Sequence, residues 1–211
     1  MKIALFGATG MIGQRIMKEA LKRGHEVTAI LRDTTKLASH SHEHLQVVTG
    51  DILVPQSVAV TTTGKDVVIS AFGPQFGAED ELAEAARSLV EGVKTSGAGR
   101  LLIVGGAGSL EVEQGGLLMD SPGFPEEWRP LARAHAEAYE VFSHSDVDWT
   151  YLSPAAIIEP GERTGFFRIG MNRLVTDEVD QSRISAEDYA VALLDEVDEG
   201  HFIRGRFTVA Y

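Results

Sequence analysis

Three glycines near the start of the chain have the type and spacing to cradle a phosphate. They lie in Gly7-Ala8-Thr9-Gly10-Met11-Ile12-Gly13. The motif follows a short apolar run, Lys2–Phe6, and opens an amphipathic segment. In that context Gly7 permits a tight turn, Gly10 lets backbone approach a pyrophosphate, and Gly13 lets helix and strand pack closely. Thr9, Met11 and Ile12 belong to the same loop and helix start, whose free N–H groups and positive dipole end favour an anion. The ligand such a loop takes is a dinucleotide. A second apolar run ends Ile30-Leu31-Arg32-Asp33, with Arg32 placed 19 residues beyond Gly13. An arginine there suits a 2′-phosphate, which points to NADP. Asp33 follows at once and keeps NAD open as the alternative, since a carboxylate there holds a ribose hydroxyl. Asp51, in Gly50-Asp51-Ile52, is placed to reach the adenine amino group, with Ile52 beside it.

The elements that must hold these residues alternate. Strands are expected at Lys2–Phe6, Glu26–Leu31, Leu45–Val48, Asp66–Ser70, Arg100–Val104 and Asp148–Leu152, with a final one at Arg206–Ala210. Helices are expected at Met11–Arg23, with Gly24 beyond its end, and at Ala78–Thr95 and Leu131–Phe142. A last helix to about Val197 is opened by the capping-box pattern Ser185-Ala186-Glu187-Asp188. Apolar strands alternating with amphipathic helices predict an α/β fold, a Rossmann-type doubly wound parallel sheet with a small C-terminal substrate lobe. One domain over residues 1–211 is expected. Two stretches, 105–125 and 155–183, fit no strand–helix unit and both follow strands. Ligands bind beyond the carboxyl ends of strands in such sheets, so these are the expected substrate loops.

Composition narrows the classes. The chain has 211 residues and no cysteine, which removes disulfide scaffolds, thiolate nucleophiles and cysteine-held metals. Net charge is −12, against nucleic acid or an anionic membrane as partner. Residues 1–100 carry 11 basic and 11 acidic residues, and residues 101–211 carry 8 and 20, so the second half holds the whole excess. The longest apolar stretch, Leu101–Gly108, is too short for a membrane span, which needs about 20 residues. The N-terminus reaches glycine too early for a secretory leader, so a cytoplasmic protein is expected. His40, His42 and His44 alternate but lack an acidic or cysteine partner, so a solvated loop is expected and no metal. Trp128 and Trp149 are expected in the core or at an interface.

The glycine spacing, Leu31-Arg32-Asp33 and Gly50-Asp51 resemble the atypical branch of the short-chain dehydrogenase/reductase superfamily. Ser70-Ala71-Phe72-Gly73 resembles that superfamily's turn after the fourth strand, which packs under the adenosine. A narrower resemblance, to the NADH-flavin reductase family related to biliverdin-IXβ/flavin reductases, covers nearly the whole chain. It is carried by Gly105-Gly106-Ala107-Gly108-Ser109-Leu110, Trp149 to Ala156, Glu159 to Gly165 and Ser182-Arg183-Ile184-Ser185. The superfamily's Tyr-x-x-x-Lys proton-transfer pair is missing. No lysine follows Lys94, and Tyr139 and Tyr151 are followed at four residues by Ser143 and Ala155. No catalytic residue is therefore assigned. Ordinary carbonyl reduction would lack the roughly 10²–10⁴-fold help of a positioned acid.

A conjugated acceptor avoids that difficulty, because the charge it gains delocalises. The resemblance implies an NAD(P)H-dependent oxidoreductase that passes hydride to a planar small molecule, a flavin bound as substrate or a quinone. By resemblance, Gly105 and Ser153-Pro154-Ala155 contact the nicotinamide. Backbone donors at Gly105 to Gly108 would meet developing charge on the acceptor. Ser109 offers a hydroxyl nearby or structures the loop. His135 lies on the helix that carries the superfamily's tyrosine. Gly106, Arg163 and Phe166, with Phe167, are the remaining candidates for the acceptor pocket. Two other readings stay open. One is a dinucleotide-binding redox sensor without turnover; the other is a dehydrogenase or isomerase with unfamiliar acid–base groups. Oligomeric state is not legible.

Overall fold

The computed structural model describes all 211 residues, Met1–Tyr211. Eight strands form one sheet in the order β3-β2-β1-β4-β5-β6-β10-β8. These are β1 (Lys2–Phe6), β2 (Glu26–Leu31), β3 (Leu45–Thr49), β4 (Val67–Ser70), β5 (Arg100–Val104), β6 (Trp149–Ser153), β8 (Arg168–Gly170) and β10 (Gly205–Ala210). All pairings are parallel except the edge strand β8, which runs antiparallel to β10. Strand order reverses at β1, whose neighbours are β2 and β4, so a crevice opens there at the carboxyl ends. This is the expected α/β Rossmann-like sheet.

Helices cover both faces. On one, α1 (Met11–Lys22) packs beside α5 (Ala186–Glu199); on the other lie α2 (Pro55–Thr62), α3 (Glu81–Ser96) and α4 (Arg129–Ser143). Strand alternation divides the core in two. Ile3, Leu5, Leu102, Leu152 and Phe207 face α1 and α5, while Ala4, Phe6, Ile103, Trp149 and Tyr151 face α3 and α4. Helix α2 was not expected. It is short, and Thr61, Thr62 and Thr63 bond back to carbonyls within it, so no long apolar stripe marks it. Helix α4 starts two residues earlier than expected because Pro130 is tolerated in a first turn.

The stretch 155–183 is less loop-like than its sequence. Strand β7 (Ile157–Glu159) pairs parallel with β9 (Arg183–Ser185), and β8 extends the main sheet. At the start of α5, Ser185 Oγ accepts the Asp188 N–H at 2.9 Å, as the capping pattern predicts. The return half of the box is absent. Asp188 is fully buried and accepts instead from the Thr164 and Gly165 N–H groups at 2.8 Å. The Thr164 and Tyr211 hydroxyls complete its shell at 2.5 and 2.9 Å. One carboxylate thus pins the 160s loop onto α5. No helix is long and apolar enough to cross a membrane.

Candidate functional site

The glycine loop is built by close backbone contact. Gly7 has φ +78°, and a Cβ there would lie 2.2 Å from the Ala71 carbonyl oxygen. A Cβ on Gly13 would lie 2.0 Å from the Gly7 carbonyl oxygen. Gly10 is open by contrast, with its nearest neighbour at 3.4 Å. The N-terminus of α1 has no side-chain cap and no acidic residue in its first turn. Its orphan N–H groups and positive dipole end are therefore left for an anion. A phosphate-sized ligand fits this cradle on both steric and electrostatic grounds.

A cleft of about 270 Å³ runs from this loop across the ends of β2, β3 and β4. It brings together Gly7, Thr9, Gly10, Arg32, Asp51, Ile52, Ala71, Phe72 and Gly73 from the expected set, and adds Lys36 and Gln75. Met11 is exposed at the helix start, whereas Ile12, Gly13 and Ser70 support the cleft from behind. The two residues that conflicted over the cofactor are differently engaged. The Asp33 carboxylate accepts from the Thr35 N–H at 3.0 Å and the Thr35 hydroxyl at 2.6 Å, capping the turn Thr34–Leu37. Those two bonds hold its carboxyl below the usual range. Arg32 is exposed and makes no ion pair. Asp51 Oδ1 is occupied by the Leu53 N–H at 3.0 Å.

At the far end, the loop after β5 presses onto β6 and α4. A Cβ on Gly105 would meet the Tyr151 ring at 2.1 Å, and one on Gly106 would meet the His135 ring at 2.7 Å. The Tyr151 hydroxyl donates to the His135 carbonyl at 3.0 Å and lies 3.4 Å from His135 Nδ1. Burial pushes the Tyr151 phenol far above its ordinary pKa, and lowers His135 to about 4. Neither group is then poised to exchange a proton near neutral pH. Tyr139 is packed edge-on against both Trp149 and Tyr151. Ser153, Pro154 and Ala155, at the end of β6, are all buried and line neither the cleft nor the pocket that adjoins it at Gln75. Gly106, Ser109 and His135 are brought together here through this packing and through Arg206, which donates to the Ser109 carbonyl at 3.1 Å and to Ser153 Oγ at 3.0 Å.

Two expected acceptor residues are elsewhere. Arg163 grips Glu19 on α1 with two bonds of 2.8 Å, beside a separate groove of about 740 Å³ on the outer side of that helix. Its planar fork matches a carboxylate, and Glu19 offers one only 5% exposed. Phe166 stands 83% exposed, because the turn at Gly165 sends it outward while Phe167 packs on the core. Arg206 and Phe76 draw no functional reading from the sequence, and Trp128, expected in the core or at an interface, is exposed rather than core. Arg206 opens the last expected strand, two residues after Arg204 and directly after Gly205, so nothing in the local pattern marks it. Phe76, 89% exposed, and Trp128, 56% exposed, wall a pocket of about 240 Å³ with Pro74, Gln75, Glu79, Glu127 and Leu131. Gln75 also lines the first cleft, so the two adjoin. Trp149 is core as expected, at 4% exposure.

Sheet order, glycine cradle and cleft define a dinucleotide-binding protein of the Rossmann type. The chain belongs to the NAD(P)H-binding family of atypical short-chain dehydrogenases/reductases, whose profile matches residues 7–199. It is 40% identical over 213 residues to the Bacillus subtilis (strain 168) protein called Uncharacterized protein YwnB, covering 99% of this chain and 98% of that one. A Burkholderia pseudomallei structure, provisionally described as an exported protein, is 48% identical with TM-score 0.91 and 100% coverage of both chains. A Streptococcus pneumoniae structure, provisionally described as an NADH-flavin reductase, is 34% identical with TM-score 0.87, covering 100% of this chain and 99% of that one.

Proposed function

We propose that the protein is an NADPH-dependent reductase of a planar, conjugated small molecule, a flavin taken as substrate or a quinone. The observation that carries this is the pocket walled by Phe76 and Trp128, which adjoins the dinucleotide cleft through Gln75. Exposed aromatic faces are costly in water and suit a flat ring between them. Glu79 and Glu127 on the same rim favour an uncharged acceptor such as riboflavin or a quinone over one bearing a phosphate. A bound reduced nicotinamide supplies hydride. The chain's own task is then to hold two flat rings together and keep water out, and proximity alone can lower a barrier substantially. The buried Tyr151 and neutral His135 fit a reaction that asks for no strong acid.

NADP is favoured over NAD by the local bonding. Asp33 also lines the cleft but has its Oδ1 held by two bonds from Thr35, while Arg32 is unpaired and Lys36 adds a second positive charge to the same cleft. The test is oxidation of NADPH and NADH by the purified protein, with riboflavin, FMN and a simple quinone in turn. Saturable turnover with riboflavin or the quinone, exceeding that with FMN, is expected. Trp128→Ala should raise the acceptor KM about tenfold with dinucleotide affinity intact. Arg32→Ala should weaken NADPH about tenfold and leave NADH unchanged. Dinucleotide binding with every acceptor inert would reject the reductase reading.

A further inference from the structure

Beside Tyr151 in the sheet register stands an arginine, Arg206 on β10. It is 6% exposed. Its Nε donates to Ser153 Oγ and its Nη1 to the Ser109 carbonyl, while Nη2 is buried without a hydrogen-bond partner. The guanidinium lies 5.1 Å from the Tyr139 ring centre and 5.9 Å from that of Tyr151. Aromatic faces soften the burial of a cation but do not neutralise it. Glu19 and Glu196, the buried glutamates, each meet an arginine. Arg206 meets no carboxylate within 4.0 Å, and the exposed Glu111 acts on it only from farther away. Burial lowers its pKa, yet a guanidinium stays protonated in proteins.

An uncompensated buried charge is expensive, and an apolar side chain of similar volume would usually pack as well or better. The charge must therefore be useful where it is. Arg206 reaches the loops that follow β5 and β6. The dinucleotide cleft has its arginine at the end of β2 and its phosphate cradle at the end of β1. Continued along the sheet past β4, a dinucleotide laid in that cleft directs its nicotinamide end toward β5 and β6. An oxidised nicotinamide ring carries a positive charge and the reduced ring carries none.

We propose that Arg206 makes the site discriminate between the two redox states of the dinucleotide, favouring the reduced form by repelling the oxidised one. This rests on the dinucleotide reading given above. In low-dielectric surroundings a fixed charge acts over distance. Two unit charges about 10 Å apart, at an effective dielectric of about 20, repel by an energy worth roughly tenfold in affinity. The protein would thus hold its cofactor as the donor and release it once spent.

The experiment is calorimetric titration of the wild type, Arg206→Lys and Arg206→Gln with NADPH, NADP⁺, NADH and NAD⁺. Melting curves for each variant accompany it. The wild type should bind the reduced member of its preferred pair about tenfold more tightly. Arg206→Lys should keep most of that preference. Arg206→Gln keeps polar contacts but loses the charge, and should bring the two affinities to within about twofold. A purely structural arginine would instead weaken both forms equally and leave their ratio unchanged, which overturns the proposal. Equal or tighter wild-type binding of the oxidised form overturns it too, even if both variants fail to fold. Failure of the wild type to bind any dinucleotide would sink the underlying reading, an outcome distinct from binding without preference.

Discussion

The two ends of the site are made in different ways. From β1 to β4, the cradle is made by backbone: Gly7 and Gly13 let carbonyls and helix approach, and α1 offers free N–H groups. Around β5, β6 and β10, the site is made by side chains drawn from distant parts of the chain. Tyr151, His135, Arg206 and Ser153 converge there through burial. Charge divides the same way, since the first hundred residues are neutral and the rest carry −12. A backbone site fixes a ligand shared across many chemistries, whereas a side-chain site can be altered one residue at a time. On the function proposed above, the ligand shared across the family falls to the conformationally constrained end, and what is particular to this protein falls to side chains.

Substitution at the cradle is the harshest way to test that division. Gly7→Val places a β-branched side chain at φ +78° and against the Ala71 carbonyl. Dinucleotide affinity should fall by about 100-fold or more, with a lower melting temperature. Gly106→Ala meets the His135 side chain, Cγ at 2.7 Å and Cβ at 2.8 Å, so the ring and the turn of α4 that carries it must shift locally. Its dinucleotide affinity should change by less than about threefold while acceptor KM rises. Fluorescence titration of both variants with NADPH decides the matter. Equal losses at both positions would erase the distinction between the two ends.

The second way uses pH. Burial lowers His135 to about 4 from an ordinary value of 6.5. Unfolded chains bind a proton at this position below about pH 6.5, and the folded protein does not until near pH 4. The stability it confers is complete above the higher value and is lost as pH falls between the two. Half-burial of the residue tempers the size, so about 2 kcal/mol is expected. Urea melts at pH 7.5 and 4.5 should show that loss in the wild type and a smaller one in His135→Gln. An equal slope in both proteins would place the titration elsewhere.

This same contrast governs what was readable in advance. Seven of the eight strands of the sheet, four of the five helices and most of the cleft follow from periodicity and from glycine spacing, because local sequence suffices to dictate them. Arg32 and Asp51 were legible for the same reason, standing at strand ends. Phe76 and Trp128 were not, since their pocket forms only when the loop after β4 meets the turn before α4. Arg206 is 53 residues from Ser153 and 97 from Ser109, and no local pattern links them. Arg163 has a partner that sequence could not show. Its neighbours in sequence resemble an acceptor loop, but its partner Glu19 is 144 residues away.

That ion pair supplies the mildest test. Glu19 is held at about 2, below an ordinary 4.5, first by the hydrogen bond from Arg163 and then by Arg23. A depressed carboxylate confers stability above its unfolded value and loses it as pH falls from 4.5 toward 2. The Arg163 side chain is 41% exposed, so solvent screening leaves the pair worth about 1 kcal/mol. Arg163→Gln should cost that much at pH 7 and almost nothing near pH 2. Its NADPH affinity and acceptor KM should match the wild type, because the residue lies against α1 and away from the packed end of the site. A rise in acceptor KM without loss of stability would return Arg163 to the acceptor pocket. It would also make the 160s loop part of the specificity-bearing end.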